Sequence, residues 1–115
     1  MTKAAQPAQV KLSQLQAGTK AITVPFGGIE IVLVFNAGFW TCRTEREYFS
    51  GEGSFAEKNA ILIVKHVTTW NITDDDGKAI PITMEILEGL DVWLVNAIVD
   101  AMIKAVNPNA QNSQG

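Results

Sequence analysis

The sequence contains few of the residues that build covalent, metal or catalytic sites. Of its 115 residues, one is cysteine and one is histidine. Cys42 cannot form an internal disulfide, and the lone His66 leaves no Cys/His cluster for zinc. A nucleophilic pair of these two residues lacks a third, orienting group. Cys42 is instead predicted to be a small buried hydrophobe. We therefore expect a protein that is not an enzyme and carries no cofactor.

Charge is also sparse. Only 18% of the residues are charged, the net charge is −3, and the cations are scattered from Lys3 to Lys104. A duplex-binding surface needs phosphate-neutralising cations on one face, so no nucleic-acid partner is expected. The polar N-terminus has no signal-peptide core, and no stretch approaches the roughly 20 apolar residues of a membrane span. We expect no membrane partner and a cytosolic location.

Length and composition predict one domain. A chain of this size with 47% hydrophobic residues can bury a single modest core. Because both ends are polar, we expect a flexible N-terminal segment over residues 1–10, a globular domain over 11–107 and a disordered tail over 108–115.

The first half of the domain has the pattern of a β-hairpin. Two runs rich in β-branched residues, Lys20–Pro25 and Ile29–Asn36, flank Gly27-Gly28, a pair that can adopt the positive φ of a tight turn. The second run is apolar on one face and largely apolar on the other, so it should be central or covered. An isolated hairpin is unstable in water, and helices further along the chain are therefore expected to pack on it.

Helices are predicted after an ambiguous segment over residues 39–50, which fits a loop with a short helical or extended piece. Ser54 and Glu57 have the spacing of a capping box. Apolar residues at helical spacing then continue from Ala60 to Trp70, which favours a helix over this run. A strand is the alternative, because residues 60–64 form a continuous apolar run that periodicity cannot assign.

The second half begins with an acidic turn, Asp74-Asp75-Asp76-Gly77. Thr83 fits the N-cap of a short helix, Met84 to Glu88. A longer helix is predicted from Asp91 to Val106, with a core-facing stripe of Val95, Ile98, Val99, Met102 and Val106. The predicted architecture is α+β, a small single domain with an N-terminal β-hairpin followed by two or three helices.

The acidic turn also invites a calcium interpretation. Asp74, Asp76 and Glu85 fall at positions 1, 3 and 12 of an EF-hand loop. Lys78 and Ala79, however, occupy positions 5 and 6, where the loop needs a ligand and a glycine. A turn followed by a helix cap explains the same residues better, so no metal site is predicted.

Apolar residues are more abundant than one core requires. The last helix is apolar almost continuously from Val92 to Val99, and excess apolar surface on a small domain indicates a partner or self-association. Trp70 and Trp93 each have two interpretations, as core anchors or as exposed aromatic residues at an interface.

The run from Trp70 to Thr83 places an aromatic anchor, an acidic turn and a helix start in fixed order. With the apolar helix pattern after it, this run resembles the tail assembly chaperone family of long-tailed (siphovirus-type) bacteriophages. Their corresponding segment reads Trp-Asp-Leu/Ile-Thr-Asp-Asp-Asp-Gly-Lys-x-x-Pro-x-Thr. The resemblance is best over Ala56–Val106, and Asn71 stands where that pattern has Asp.

The resemblance implies a protein that acts in the host cytoplasm and binds the phage tape measure protein, keeping it soluble during tail tube assembly. The tail tube protein and a second copy of the chain are further possible partners. We predict a partner surface formed by Trp70, Ile72, Trp93, Leu94 and Val95. The alternative is a structural virion protein, a tail tube or head-tail connector subunit, whose hairpin would be an assembly arm.

Overall fold

The computed structural model describes residues 9–15 and 18–107. The elements, in chain order, are α1 (Leu12–Leu15), β1 (Thr19–Phe26), β2 (Ile29–Asn36), α2 (Cys42–Ser50), α3 (Phe55–His66), β3 (Val67–Trp70), α4 (Met84–Glu88) and α5 (Val92–Val106). The predicted α+β class with an N-terminal hairpin is confirmed. Most of the predicted flexible segment 1–10 and all of the predicted tail 108–115 lie outside the described residues.

The hairpin has the predicted two-residue turn. Gly27 and Gly28 have φ angles of 60° and 85°, which let the two strands keep their right-handed twist without a side-chain clash. Phe26 is paired with Ile29 beside the turn, and Thr19 is paired with Asn36 at the open end of the hairpin. The strand β2 is central, as predicted, in a sheet of order β1-β2-β3.

The prediction of a helix continuing to Trp70 is wrong beyond His66. The chain becomes extended at Val67, and β3 pairs antiparallel with β2, with Trp70 opposite Leu33. A register shift leaves Thr68 as the extra residue of a bulge. The β-branched residues of 67–69 suit a strand, but the strand is favourable only because β2 offers an unpaired edge that is distant in sequence.

The helices cover one face of the sheet. Helix α5 packs on β1, α3 contacts β3 and α5, and α4 packs on α3. The largest side chains that are fully buried between these layers are Leu33, Phe35, Phe39, Ile63, Leu87, Ile98 and Met102. Each stabilises the fold by about 1.5–3 kcal/mol relative to an exposed position. Four members of the predicted α5 stripe are buried, and Val106 is partly buried.

Side-chain caps begin the four longer helices. Thr41, Ser54, Thr83 and Asp91 each accept a backbone N–H from the first turn of α2, α3, α4 and α5. The predicted caps at Ser54 and Thr83 are thus confirmed, and each is worth about 1 kcal/mol. The ambiguous segment 39–50 is mostly helical for the same local reason, because Thr41 caps α2. None of the helices in the described ranges is long and apolar enough to cross a membrane.

Candidate partner-binding surface

The acidic turn closes on its own backbone. Asp74 Oδ1 accepts hydrogen bonds from Asp76 N at 2.8 Å and Lys78 N at 2.9 Å, and Gly77 N donates to Asp74 O at 3.0 Å. Gly77 has the positive φ, 83°, that this turn requires. The predicted turn is therefore confirmed, and its first carboxylate is used to organise the loop. Over residues 9–15 and 18–107, no group of three or more acidic, histidine or cysteine side chains is placed to hold a metal.

Trp70 is a core anchor for this turn. Its side chain is 8% exposed, and its indole Nε1 donates to Ile80 O at 2.7 Å. Ile80 N in turn donates to Ile72 O at 3.0 Å, and both isoleucines are partly buried against the core. The indole thus holds both arms of the acidic loop against the edge of the sheet.

Asn71 extends the sheet beyond β3 with its side chain. Its Oδ1 accepts from Val32 N at 2.9 Å, and its Nδ2 donates to Glu30 O at 3.1 Å. Its backbone N also donates to Val32 O at 3.0 Å. The amide side chain therefore satisfies one donor and one acceptor of β2, a combination that an ionised Asp cannot supply.

The five residues of the predicted partner surface do not share one face. Trp70, Leu94 and Val95 are buried, so the prediction that they form an exposed surface is wrong, although Val95 still lines a groove between helices. Ile72 is partly buried, whereas Trp93 is 71% exposed. Successive helix residues point about 100° apart, so the packing of α5 buries Leu94 and Val95 while it leaves Trp93 in solvent.

A groove lies where α3 and α5 begin, with α4 beside them. It has a volume of about 300 Å³. Its apolar lining comes from the three helices and the loop between α4 and α5: Ala56, Ala60, Met84, Leu87, Leu90, Val92 and Val95. Ser54, Glu57 and Glu88 supply the polar lining. The exposed aromatic residues Phe55 and Trp93 directly follow Ser54 and Val92 in the chain. We call this cleft the α3–α4–α5 groove. No local pattern in the sequence predicts it, because three separate segments form it.

An aromatic cluster joins α2 to α3. The ring of Tyr48 lies 5.5 Å from that of Trp40, 5.1 Å from Phe49 and 5.4 Å from Phe55. Tyr48 OH donates to Asn59 Oδ1 at 2.6 Å. Burial raises the pKa of Tyr48, although the hydrogen bond with Asn59 opposes this change. Phe49 and Phe55 remain 64% and 57% exposed, so the cluster reaches the surface, and Phe49 lies in the segment 39–50 that the sequence left ambiguous.

Cys42 and His66 lie in different surroundings. Cys42 is exposed on α2, and the prediction that it is buried is wrong, because none of the residues of α2 is buried. His66 packs on Phe39, with ring centroids 5.5 Å apart. Burial, and then the charge of Lys65, lower the pKa of His66. His66 lines the cleft between α2 and α3, and Cys42 does not.

The described surface retains many large apolar side chains although the domain has a buried hydrophobic core of its own. No buried side-chain nitrogen or oxygen of the described residues lacks a hydrogen bond. The exposed large hydrophobic residues are Val10, Leu12, Leu15, Ile29, Val32, Phe49, Phe55, Ile61, Val92 and Trp93.

Comparison of the chain with protein-family models, curated proteins and solved structures finds no match.

Proposed function

We propose that this chain is a non-enzymatic bacteriophage tail assembly chaperone, which binds the tape measure protein in the host cytoplasm and keeps it soluble during tail tube assembly. The observation that carries the proposal is the set of large apolar side chains that remain exposed on a domain that already has a buried hydrophobic core. Exposed apolar side chains that lie together, as Phe49 and Phe55 do with ring centroids 6.4 Å apart, are typical of protein-binding sites. The resemblance of the Trp70–Thr83 segment to the chaperone pattern supports the same function.

The amount of exposed apolar surface suits reversible binding. Burying the indole of Trp93 against a partner would contribute up to about 3 kcal/mol. Association itself costs an estimated 4–15 kcal/mol, so one aromatic residue cannot hold a partner. Several exposed residues must act together, and the resulting complex remains weak enough for tail tube subunits to displace the chaperone.

Co-expression tests the proposal. The tape measure protein of the same phage is produced alone and together with this chain, and its soluble fraction is compared. We expect the chain to raise the soluble fraction and to co-purify with the tape measure protein. Trp93→Ala should reduce co-purification, and Phe49→Ala tests separately whether the exposed aromatic residue on α2 also contributes to binding. A tape measure protein that is equally insoluble with and without the chain contradicts the proposal.

A structural virion protein, a tail tube or head-tail connector subunit, is the second candidate, and the open edge of β1 favours it. Ala37 N donates to Gly18 O at 2.7 Å, so by alternation the backbone groups of Thr19, Ala21 and Thr23 point away from β2. Such an edge can pair with another chain during assembly. Mass spectrometry of purified virions separates the candidates: a chaperone should be absent, whereas a structural subunit should be present in many copies.

A further inference from the structure

The α3–α4–α5 groove combines an apolar lining with charge of one sign. Glu57 and Glu88 line it, and among the described residues no lysine or arginine does. The nearest cation in sequence, Lys58, is engaged elsewhere, because its Nζ donates to Tyr48 O at 2.7 Å. The charge of the groove is therefore not neutralised by lysine or arginine side chains of its own lining.

The groove is open to a partner. Val92, the first residue of α5, lines it and is 42% exposed. The free N–H groups at the start of α3 and α5 are capped by Ser54 and Asp91, so the helix ends themselves do not call for an anionic ligand. The feature available to a partner is therefore the apolar cleft between the helices, with carboxylates beside it.

We propose that the α3–α4–α5 groove binds an amphipathic helical segment that presents leucine-sized side chains to the apolar lining and lysine or arginine to Glu57 and Glu88. Under the proposed function, on which this inference rests, the segment belongs to the tape measure protein. A groove between helices suits an amphipathic helix because side chains at i, i+3 and i+4 project from one face. The acidic groups add orientation and selectivity for cationic partners more than affinity.

A model peptide tests this chemistry directly. The probe is a fluorescein-labelled peptide of about 15 residues, built from leucine at helical spacing and lysine elsewhere. Its control has glutamate in place of lysine. We expect fluorescence polarisation to show binding of the lysine peptide to the full chain, at least about tenfold tighter than that of the glutamate peptide, with affinity falling as salt rises.

Matched substitutions locate the binding. Val92→Ala should weaken the lysine peptide about fourfold, because two partly exposed carbons leave the groove. Val32→Ala is its control, since Val32 is 41% exposed on the uncovered face of the sheet. Glu88→Gln should weaken binding about twofold and reduce its salt dependence. Glu85→Gln, on the same helix but outside the groove lining, should change neither the affinity for the peptide nor its salt dependence.

The remaining outcomes of these experiments decide separately between the groove proposal and the chaperone proposal. Equal binding to all four variants, or no preference for the lysine peptide, overturns the groove proposal. Light scattering that shows a dimer of the chain, dissociated by Val92→Ala, also overturns it, because the groove is then filled by a second copy. If the peptide results overturn the groove proposal while the wild-type chain still solubilises the tape measure protein, the chaperone proposal stands. If the wild-type chain does not solubilise it, the chaperone proposal fails independently of the peptide result.

Discussion

The substitution Asn71→Asp tests whether the side chain of Asn71 acts as part of the sheet. Asn71 uses its oxygen to accept from Val32 N and its nitrogen to donate to Glu30 O, at 2.9 Å and 3.1 Å. An aspartate retains the first hydrogen bond and loses the second. It also places a carboxylate oxygen near the carbonyl oxygen of Glu30, where both groups are acceptors.

The expected loss of stability follows from these two contacts. The missing hydrogen bond is worth about 0.5–1.5 kcal/mol, and the repulsion between the two oxygens adds to the loss. The remaining bond from Val32 N becomes stronger because its acceptor is charged, which offsets part of the loss. We expect a net loss of about 1–2 kcal/mol at neutral pH. For a domain of this size, this lowers Tm by roughly 5–10 °C.

Thermal and urea unfolding of Asn71→Asp, measured at several pH values, provide the assay. Below about pH 4 the aspartate is protonated and regains a donor for Glu30 O, so the deficit should narrow. Asn36→Asp is the matched control, because the oxygen of Asn36 accepts from Gly38 N at 3.1 Å and an aspartate keeps that bond. An Asn71→Asp variant as stable as the wild type at neutral pH, or a deficit that does not narrow in acid, would refute the reasoning.

Four further predictions concern stability and use urea unfolding. Trp93→Ala should change the free energy of unfolding by less than about 0.5 kcal/mol, whereas Trp70→Ala should lower it by about 3–5 kcal/mol, because only the indole of Trp70 is buried. Similar losses in the two variants would contradict the structure. Asn59→Ala should cost about 1–3 kcal/mol, because its amide bridges side chains of α2 and α5; a neutral effect would show that the bridge is unimportant. The lowered pKa of His66 means that the unfolded chain takes up a proton more readily than the folded one. The contribution of His66 to stability should therefore be constant above about pH 6.5 and fall as the pH drops below it. His66→Gln should flatten this decline, and an unchanged slope would contradict the role of His66. Gly77→Ala should cost about 1 kcal/mol, because φ is 83° there; equal stability would mean that the turn adopts another conformation.

Features that depend on neighbouring residues were predictable from the sequence. The turn at Gly27-Gly28, the acidic turn and the caps at Ser54 and Thr83 all rest on hydrogen bonds or φ angles within a few residues. The structure has each of them in the predicted place. The short helix α4 also begins and ends where its cap and Gly89 indicate.

The third strand was not predictable in this way. Residues 67–70 continue the apolar spacing of α3, and nothing local separates a last helical turn from a strand. The unpaired edge of β2, more than 30 residues earlier in the chain, decides between them. The same limitation applies to the groove, which exists only because α3, α4 and α5 begin or end beside one another.

By itself, the amino-acid sequence determined the α+β class, the hairpin, the caps and the excess of apolar residues over one core, because these depend on local chemistry and composition. The tertiary structure alone decided which apolar residues remain exposed. Leu94 and Trp93 are neighbours in an apolar run, yet the orientation of α5 against the sheet and α3 buries the first and exposes the second. That orientation is set by packing between distant segments, and no local pattern encodes it.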